Sequence, residues 1–92
     1  MRDGYEAKSK TGEIELSDHA RDMLQERNIL EAWVWRTIGS PDRTEVGSDN
    51  NVHYIKAIPE HDGRFLRVVV NPRSAPKRVV TMFFDRRLRR GA

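Results

Sequence analysis

Ninety-two residues, 37% hydrophobic and 34% charged, make one small globular domain with a polar surface and rule out a disordered chain. Cysteine is absent, which excludes a disulfide framework, a thiolate zinc site and a cysteine nucleophile. No apolar run reaches the length of a signal-peptide core or a membrane span, so the expected location is cytoplasmic and no membrane partner is expected.

The net charge of +3 conceals a split. Residues 1–63 hold eight Lys/Arg against thirteen Asp/Glu, whereas residues 64–92 hold nine Lys/Arg and only Asp85 as an acid. A basic C-terminal third suits phosphate or an acidic partner, and equally suits arginines that flank strands and protect sheet edges.

Residues 1–12, polar and glycine-punctuated, read as a flexible N-terminal arm, and residues 13–92 as a single α+β domain. "EIELS" alternates apolar and charged residues and predicts a short strand or extended lead-in. Ser17 is placed to cap the next helix, with Asp18 against its positive end. Ala20, Met23, Leu24 and Arg27 share one face of that helix, and Asn28 can end it in the left-handed conformation with Ile29 folding back. A second helix runs from Leu30 to Ile38, with Leu30, Trp33, Val34, Thr37 and Ile38 as its buried stripe and Trp35 at the rim of the core. Gly39, Ser40 and Pro41 stop it.

From Arg43 the hydrophobic period changes to two. "RTEV", "NVHYIKAI", "RFLRVVVN" and "RVVTMFF" predict four strands, joined by connections too short to cross over. The expected fold is two N-terminal helices on one face of a twisted, mainly antiparallel four-stranded sheet, with Leu24, Trp33, Val34, Ile38, Leu66, Val68, Val80 and Met82 in the core. Arg67 and Thr81 then fall on the opposite face. An arginine among valines is costly to bury unpaired, so that face is expected to be open to water or ligand, with a carboxylate such as Glu45 or a phosphate as its partner. His61, beside a tight turn, is expected to be solvated.

The stretch "IELSDHARDMLQERNI", followed by "GSPDR", "VHYIKAI", "GRFLRVVVN" and "KRVVTMFFDRRLR", fits the pattern S-x-H-A-x-x-x-[ML]-x-x-R-x-I and its sequel. Over residues 13 to 90 the chain resembles a bacterial and archaeal family of small domains of unknown function, itself similar to the BrnT and RelE type toxin ribonucleases of toxin–antitoxin systems. That resemblance implies a sheet whose face away from the helices holds and cleaves RNA. By position it marks His19, His53, Tyr54, Lys56, Arg64, Arg67, Arg78 and Thr81. Two departures stand out. Leu30 replaces a capping Ser or Thr, and the full lysine, arginine and tyrosine set of the ribosome-dependent toxins is missing.

Metal-independent RNA cleavage needs a base for the 2′-hydroxyl, a cation for the pentacoordinate phosphate and an acid for the leaving oxygen. The candidate catalytic residues are His19, Lys56 and Arg67. Tyr54, Arg64, Arg78, Thr81 and Arg86 are the candidates for binding nucleic acid. His19 has a second reading, as a helix-start residue, and that reading comes first. Three histidines on three elements lack any metal-ligand spacing, and no phosphate-cradling glycine loop occurs, so neither metal nor cofactor is expected. Two functions stay open. One is a toxin-like ribonuclease, or a relative that binds RNA without cutting it. The other is a non-catalytic interaction module docking an acidic, antitoxin-like protein. Clustering of His19, Lys56 and Arg67 would favour the enzyme, and scattering would favour the binding module.

Overall fold

Alternation in "IEL" sends Ile14 and Leu16 inward and leaves Glu15 exposed, and this segment is the first strand of the domain. The computed structural model describes residues 13–88. In chain order the elements are β1 (Ile14–Leu16), α1 (Asp18–Glu26), α2 (Glu31–Gly39), β2 (Arg43–Val46), β3 (Val52–Ile58), a 3-10 turn (Pro59–His61), β4 (Arg64–Asn71) and β5 (Lys77–Phe84). The predicted arm at residues 1–12 and the tail at residues 89–92 lie outside the described residues.

The sheet has five strands in the order β1-β5-β4-β3-β2, not four, and it is mixed. β2 to β5 form the expected antiparallel meander, while β1 pairs in parallel with β5, Ile14 opposite Lys77 and Leu16 opposite Val79. Short connections identify hairpins between neighbouring segments. They are silent about a three-residue strand whose partner lies some sixty residues further on.

Both helix boundaries follow local chemistry. Ser17 is extended at ψ 165°, and its Oγ accepts from the Ala20 amide at 3.0 Å, satisfying one of the free donors of the first turn. At the other end Asn28 adopts φ 53°, and the Ile29 amide donates to the Leu24 carbonyl at 2.9 Å, which turns the Ile29 side chain into the core. Arg27 reaches from the end of α1 to β5, its Nη1 donating to the Met82 carbonyl at 2.8 Å.

α2 begins without a side-chain cap and buries Trp33, Val34, Thr37 and Ile38. Thr37 enters the core because its hydroxyl donates to the Trp33 carbonyl at 2.8 Å. Leu30, expected in the stripe, is 58% exposed, since as the residue before the first helical turn its extended backbone carries it out of the helix face. Trp35 is half-buried at the rim, with Nε1 donating to Glu31 at 2.9 Å.

The helices cover one face of the sheet. Leu66, Val68 and Val70 of β4 meet Trp33, Val34 and Ile38 there, and Ile14, Leu16, Val79 and Met82 complete the core. Val80 does not belong to it. Val69 faces Thr81 and Val70 faces Val79, so Val80 is the extra residue of a β-bulge that reverses the alternation of β5 and sends Val79 inward instead. Val79 is fully buried and Val80 only partly. By register, Thr44, Tyr54, Lys56 and Leu66 share the helix side, while Glu45, His53, Ile55, Arg67, Thr81 and Phe83 share the other.

Leu66→Ala, at a fully buried site, should lower unfolding free energy by about 2–5 kcal/mol in urea titrations. The bulge makes a sharper prediction: Val79→Ala should cost clearly more than Val80→Ala, the reverse of what unbroken alternation would give.

Candidate functional site

Arg67 sits mid-strand in β4, between Ile55 of β3 and Phe83 of β5, on the face away from the helices. It is only 7% exposed, so the expected open arginine is in fact buried. A buried guanidinium needs partners for its charge and its N–H groups, and it has them. Nε donates to Asp85 at 2.9 Å, and Nη1 lies 3.3 Å from Glu45 and 3.0 Å from Nδ1 of His53. Of the two partners foreseen for it, the carboxylate is present, and Asp85 is the closer acid.

His53 is the cross-strand neighbour of Glu45. Since guanidinium N–H groups only donate, Nδ1 must accept, which places the ring proton on Nε2, aimed at Asp49 Oδ1 3.4 Å away. The β2–β3 turn makes room for this contact. A Cβ at Gly47 would stand 2.6 Å from His53 Nε2 and 2.8 Å from Asp49 Oδ1. The Asn51 amide donates to Asp49, and this bond, followed by the contact with His53, holds the Asp49 carboxyl below its usual range.

Asp85 follows the last residue of β5, and its amide donates to the Phe65 carbonyl at 2.9 Å, extending the ladder by one step. Its carboxylate accepts from the amide, Nε and Nη2 of Arg87 as well as from Arg67. Arg87 first and Arg67 second hold its carboxyl down at about 2, against the opposing effect of burial. Outside this cluster, Arg36 of α2 grips Glu60 of the 3-10 turn with two bonds of 2.8 Å, which holds the exposed Glu60 at about 2.

The three candidate catalytic residues do not meet. His19 is exposed on the first turn of α1, where Ser17 rather than His19 satisfies the helix start, and it has no hydrogen-bond partner among the described residues. Lys56 points to the helix side of β3, with Nζ 3.5 Å from Asp42 Oδ1. Arg67 lies on the opposite face with Nε and Nη1 already engaged.

The remaining candidates are also divided. Tyr54 packs against the core on the helix side, Thr81 faces Val69 on the other, and Arg78 is exposed between Asn71 and Glu15. Arg64 and Arg86 do come together. With Asp62, Gly63, Phe84, Asp85 and Leu88 they line an open cleft of about 590 Å³ where β4 begins and β5 ends. Both are exposed, and neither has an acidic partner among the described residues. Phe84 reaches this cleft from an aromatic cluster. His61 stacks on it at 4.1 Å and 17°, and Trp33 meets its edge at 6.1 Å, so His61 is held against a ring rather than simply solvated.

Among the residues that shape the site, Asp85, Asp49 and Arg87 were not singled out from sequence. Asp85 carried a signal: it is the one acid in the basic stretch 64–92.

The domain of unknown function DUF4258 matches residues 16–84. The chain belongs to that family. The match opens at Leu16 and closes at Phe84, so it takes in both helices and the antiparallel meander while stopping just short of Asp85. No curated protein and no solved structure matches this DUF4258 chain.

Two measurements check the cluster. Arg67→Ala should destabilise the domain by about 3 kcal/mol, because it strands the Asp85 carboxylate in a buried position with Arg87 alone. In the second, Asp85 stays ionised in the folded protein down to about pH 2 but in the unfolded chain only to about pH 4. Its contribution, on the order of 2 kcal/mol, is therefore complete above about pH 4 and lost as pH falls through about 2. Acid titration of Asp85→Asn should show a lower plateau at neutral pH and a shallower fall in that window than the wild type.

Proposed function

We propose that this DUF4258 domain is a binding module for single-stranded RNA that holds its ligand without cutting it. The observation that carries this reading is the cleft in which Arg64 and Arg86 stand beside Phe84 without an acidic partner among the described residues. Two planar forks can each take a phosphate oxygen pair, and the partly buried Phe84, already stacked on His61, gives the same opening an apolar wall for a base. Further cations, Arg73, Lys77 and Arg78, lie at the far end of the β4–β5 hairpin, roughly 20 Å away at the rise of a β-strand, so an extended strand can touch both ends.

Binding without cleavage is favoured because base, cation and acid must surround one phosphate. Here His19 and Lys56 belong to the helix side and Arg67 to the other, and a phosphate could reach Nε of Arg67 only by displacing Asp85. Retaining the toxin-like ribonuclease would require a different set of residues from those the family resemblance marks. An acidic, antitoxin-like protein is the second reading: the scattering of His19, Lys56 and Arg67 favours it as well, and Arg64 and Arg86 serve it equally, since carboxylate and phosphate fit the same fork.

Titration with a short single-stranded RNA should give weak binding whose logarithm falls linearly with the logarithm of salt. Arg64→Ala and Arg86→Ala should each weaken binding and reduce that slope by about 0.7, one lost phosphate contact on a single strand, whereas His19→Ala should leave it unchanged. No product should form, with or without ribosomes. Cleavage in either setting would restore the enzyme, and absence of salt-dependent RNA binding would leave the acidic protein as the partner.

A further inference from the structure

β2 closes the sheet on one side, and nothing among the described residues pairs with its outer edge. All four of its residues are exposed, and Val46 is 72% exposed although it is apolar. Proteins commonly protect such an edge with proline, a bulge or charges; β2 has neither proline nor bulge, and its two charges, Arg43 and Glu45, are of opposite sign.

The backbone direction can be read from the ladder. The Gly47 amide donates to the Asn51 carbonyl at 3.0 Å, so that pair turns its polar groups inward. In antiparallel strands such pairs recur every second residue. Glu45 and Arg43 therefore also face β3 with their backbone groups, and Thr44 and Val46 direct theirs outward.

Around Thr44 the side chains are self-complementary. Arg43 and Glu45 flank it and lie on the same face, opposite Ile55 and His53 respectively. In a two-fold antiparallel pairing centred on Thr44, each Arg43 falls opposite the Glu45 of the other strand, twice per interface. A register centred on Val46 would instead need residues 47–50, which belong to the turn and offer no strand.

We propose that two copies of this chain pair edge to edge through β2, antiparallel about Thr44, forming one continuous ten-stranded sheet. Thr44 exchanges two backbone hydrogen bonds with its counterpart, and Val46 falls opposite Asp42 of the second copy. In the single chain Arg43 reaches along its own strand to Glu45 at 3.4 Å, an exposed contact that is exchanged at little cost for the one across the interface. Glu45 also holds Arg67, so the second copy's arginine arrives beside the buried cluster and adds a cation to its rim. The proposal does not rest on RNA binding.

Sedimentation equilibrium across the micromolar to millimolar range provides the test. The wild type should show a concentration-dependent dimer. Arg43→Glu and Glu45→Arg should each weaken it about tenfold or more, since each places like charges opposite one another twice. Mixing the two variants should restore wild-type affinity, because the heterodimer again pairs opposite charges at both positions. A role confined to the single chain would not give that rescue. Thr44→Pro should weaken the dimer and leave the monomer folded by circular dichroism, because the Thr44 amide makes no bond within the sheet. Thr44→Pro and Arg43→Glu do not touch Arg67, so they decide the matter if Glu45→Arg proves unstable. A wild type that stays monomeric throughout overturns the proposal. So does a dimer indifferent to Arg43→Glu and Thr44→Pro.

Discussion

A guanidinium in the middle of a β-sheet has to be neutralised where it stands, and the side of the sheet without helices is organised around that requirement. Arg67 draws one carboxylate from β2 and another from just beyond β5, together with an imidazole acceptor from β3. Each of these segments is thereby tied to β4 on the face that the helices do not reach. Gly47 leaves space for the Asp49–His53 contact, and Arg87 folds back over Asp85, so a turn at one end of the sheet and a turn at the other serve the same buried charge. Replacing Arg67 and its buried partner Asp85 together by well-packed hydrophobic residues would give similar or greater stability, since ion pairs of this kind seldom outweigh their own desolvation, whereas removing the arginine alone strands the carboxylate. What the arginine adds is selectivity of arrangement: only the observed register brings all three partners within reach.

This bears on how much of the molecule was legible in the sequence. Ser17 and Asn28 announce the ends of α1 because capping is local chemistry, decided within a few residues. Trp33, Val34 and Ile38 reveal their shared face by period alone. Features that depend on distant pairing were hidden. β1 finds its partner across nearly the whole chain, and the bulge at Val80 arises from accommodation between β4 and β5, not from any residue type that marks it. The site divides in the same way. The face occupied by Arg67 follows from alternation, and so does the prospect of Glu45 as a partner, whereas Asp85 reaches it from beyond the end of β5. Arg64 and Arg86, twenty-two positions apart, were legible as cations but not as neighbours.

Membership of the DUF4258 family and the placement of the candidate residues together change the weight of the resemblance to toxin ribonucleases. A helical layer over an antiparallel meander is a frame that supports many activities, and chemistry belongs to constellations of side chains, not to frames. In this chain the charged residues segregate by task. Those inside the sheet cancel one another, while Arg64 and Arg86, without acidic partners among the described residues, come together at one end of the β4–β5 hairpin.

The parallel pairing of β1 with β5 has a consequence for the order of assembly. Residues 14–16 leave the ribosome some sixty residues before the strand that receives them, residues 77–79. Until then Ile14 and Leu16 have no sheet to join, and the antiparallel meander can form without them. Closing so long a loop carries an entropic cost that neighbouring hairpins escape. Docking of β1, with α1 behind it, thus follows formation of the meander, and the nascent chain carries Ile14 and Leu16 unburied until β5 exists.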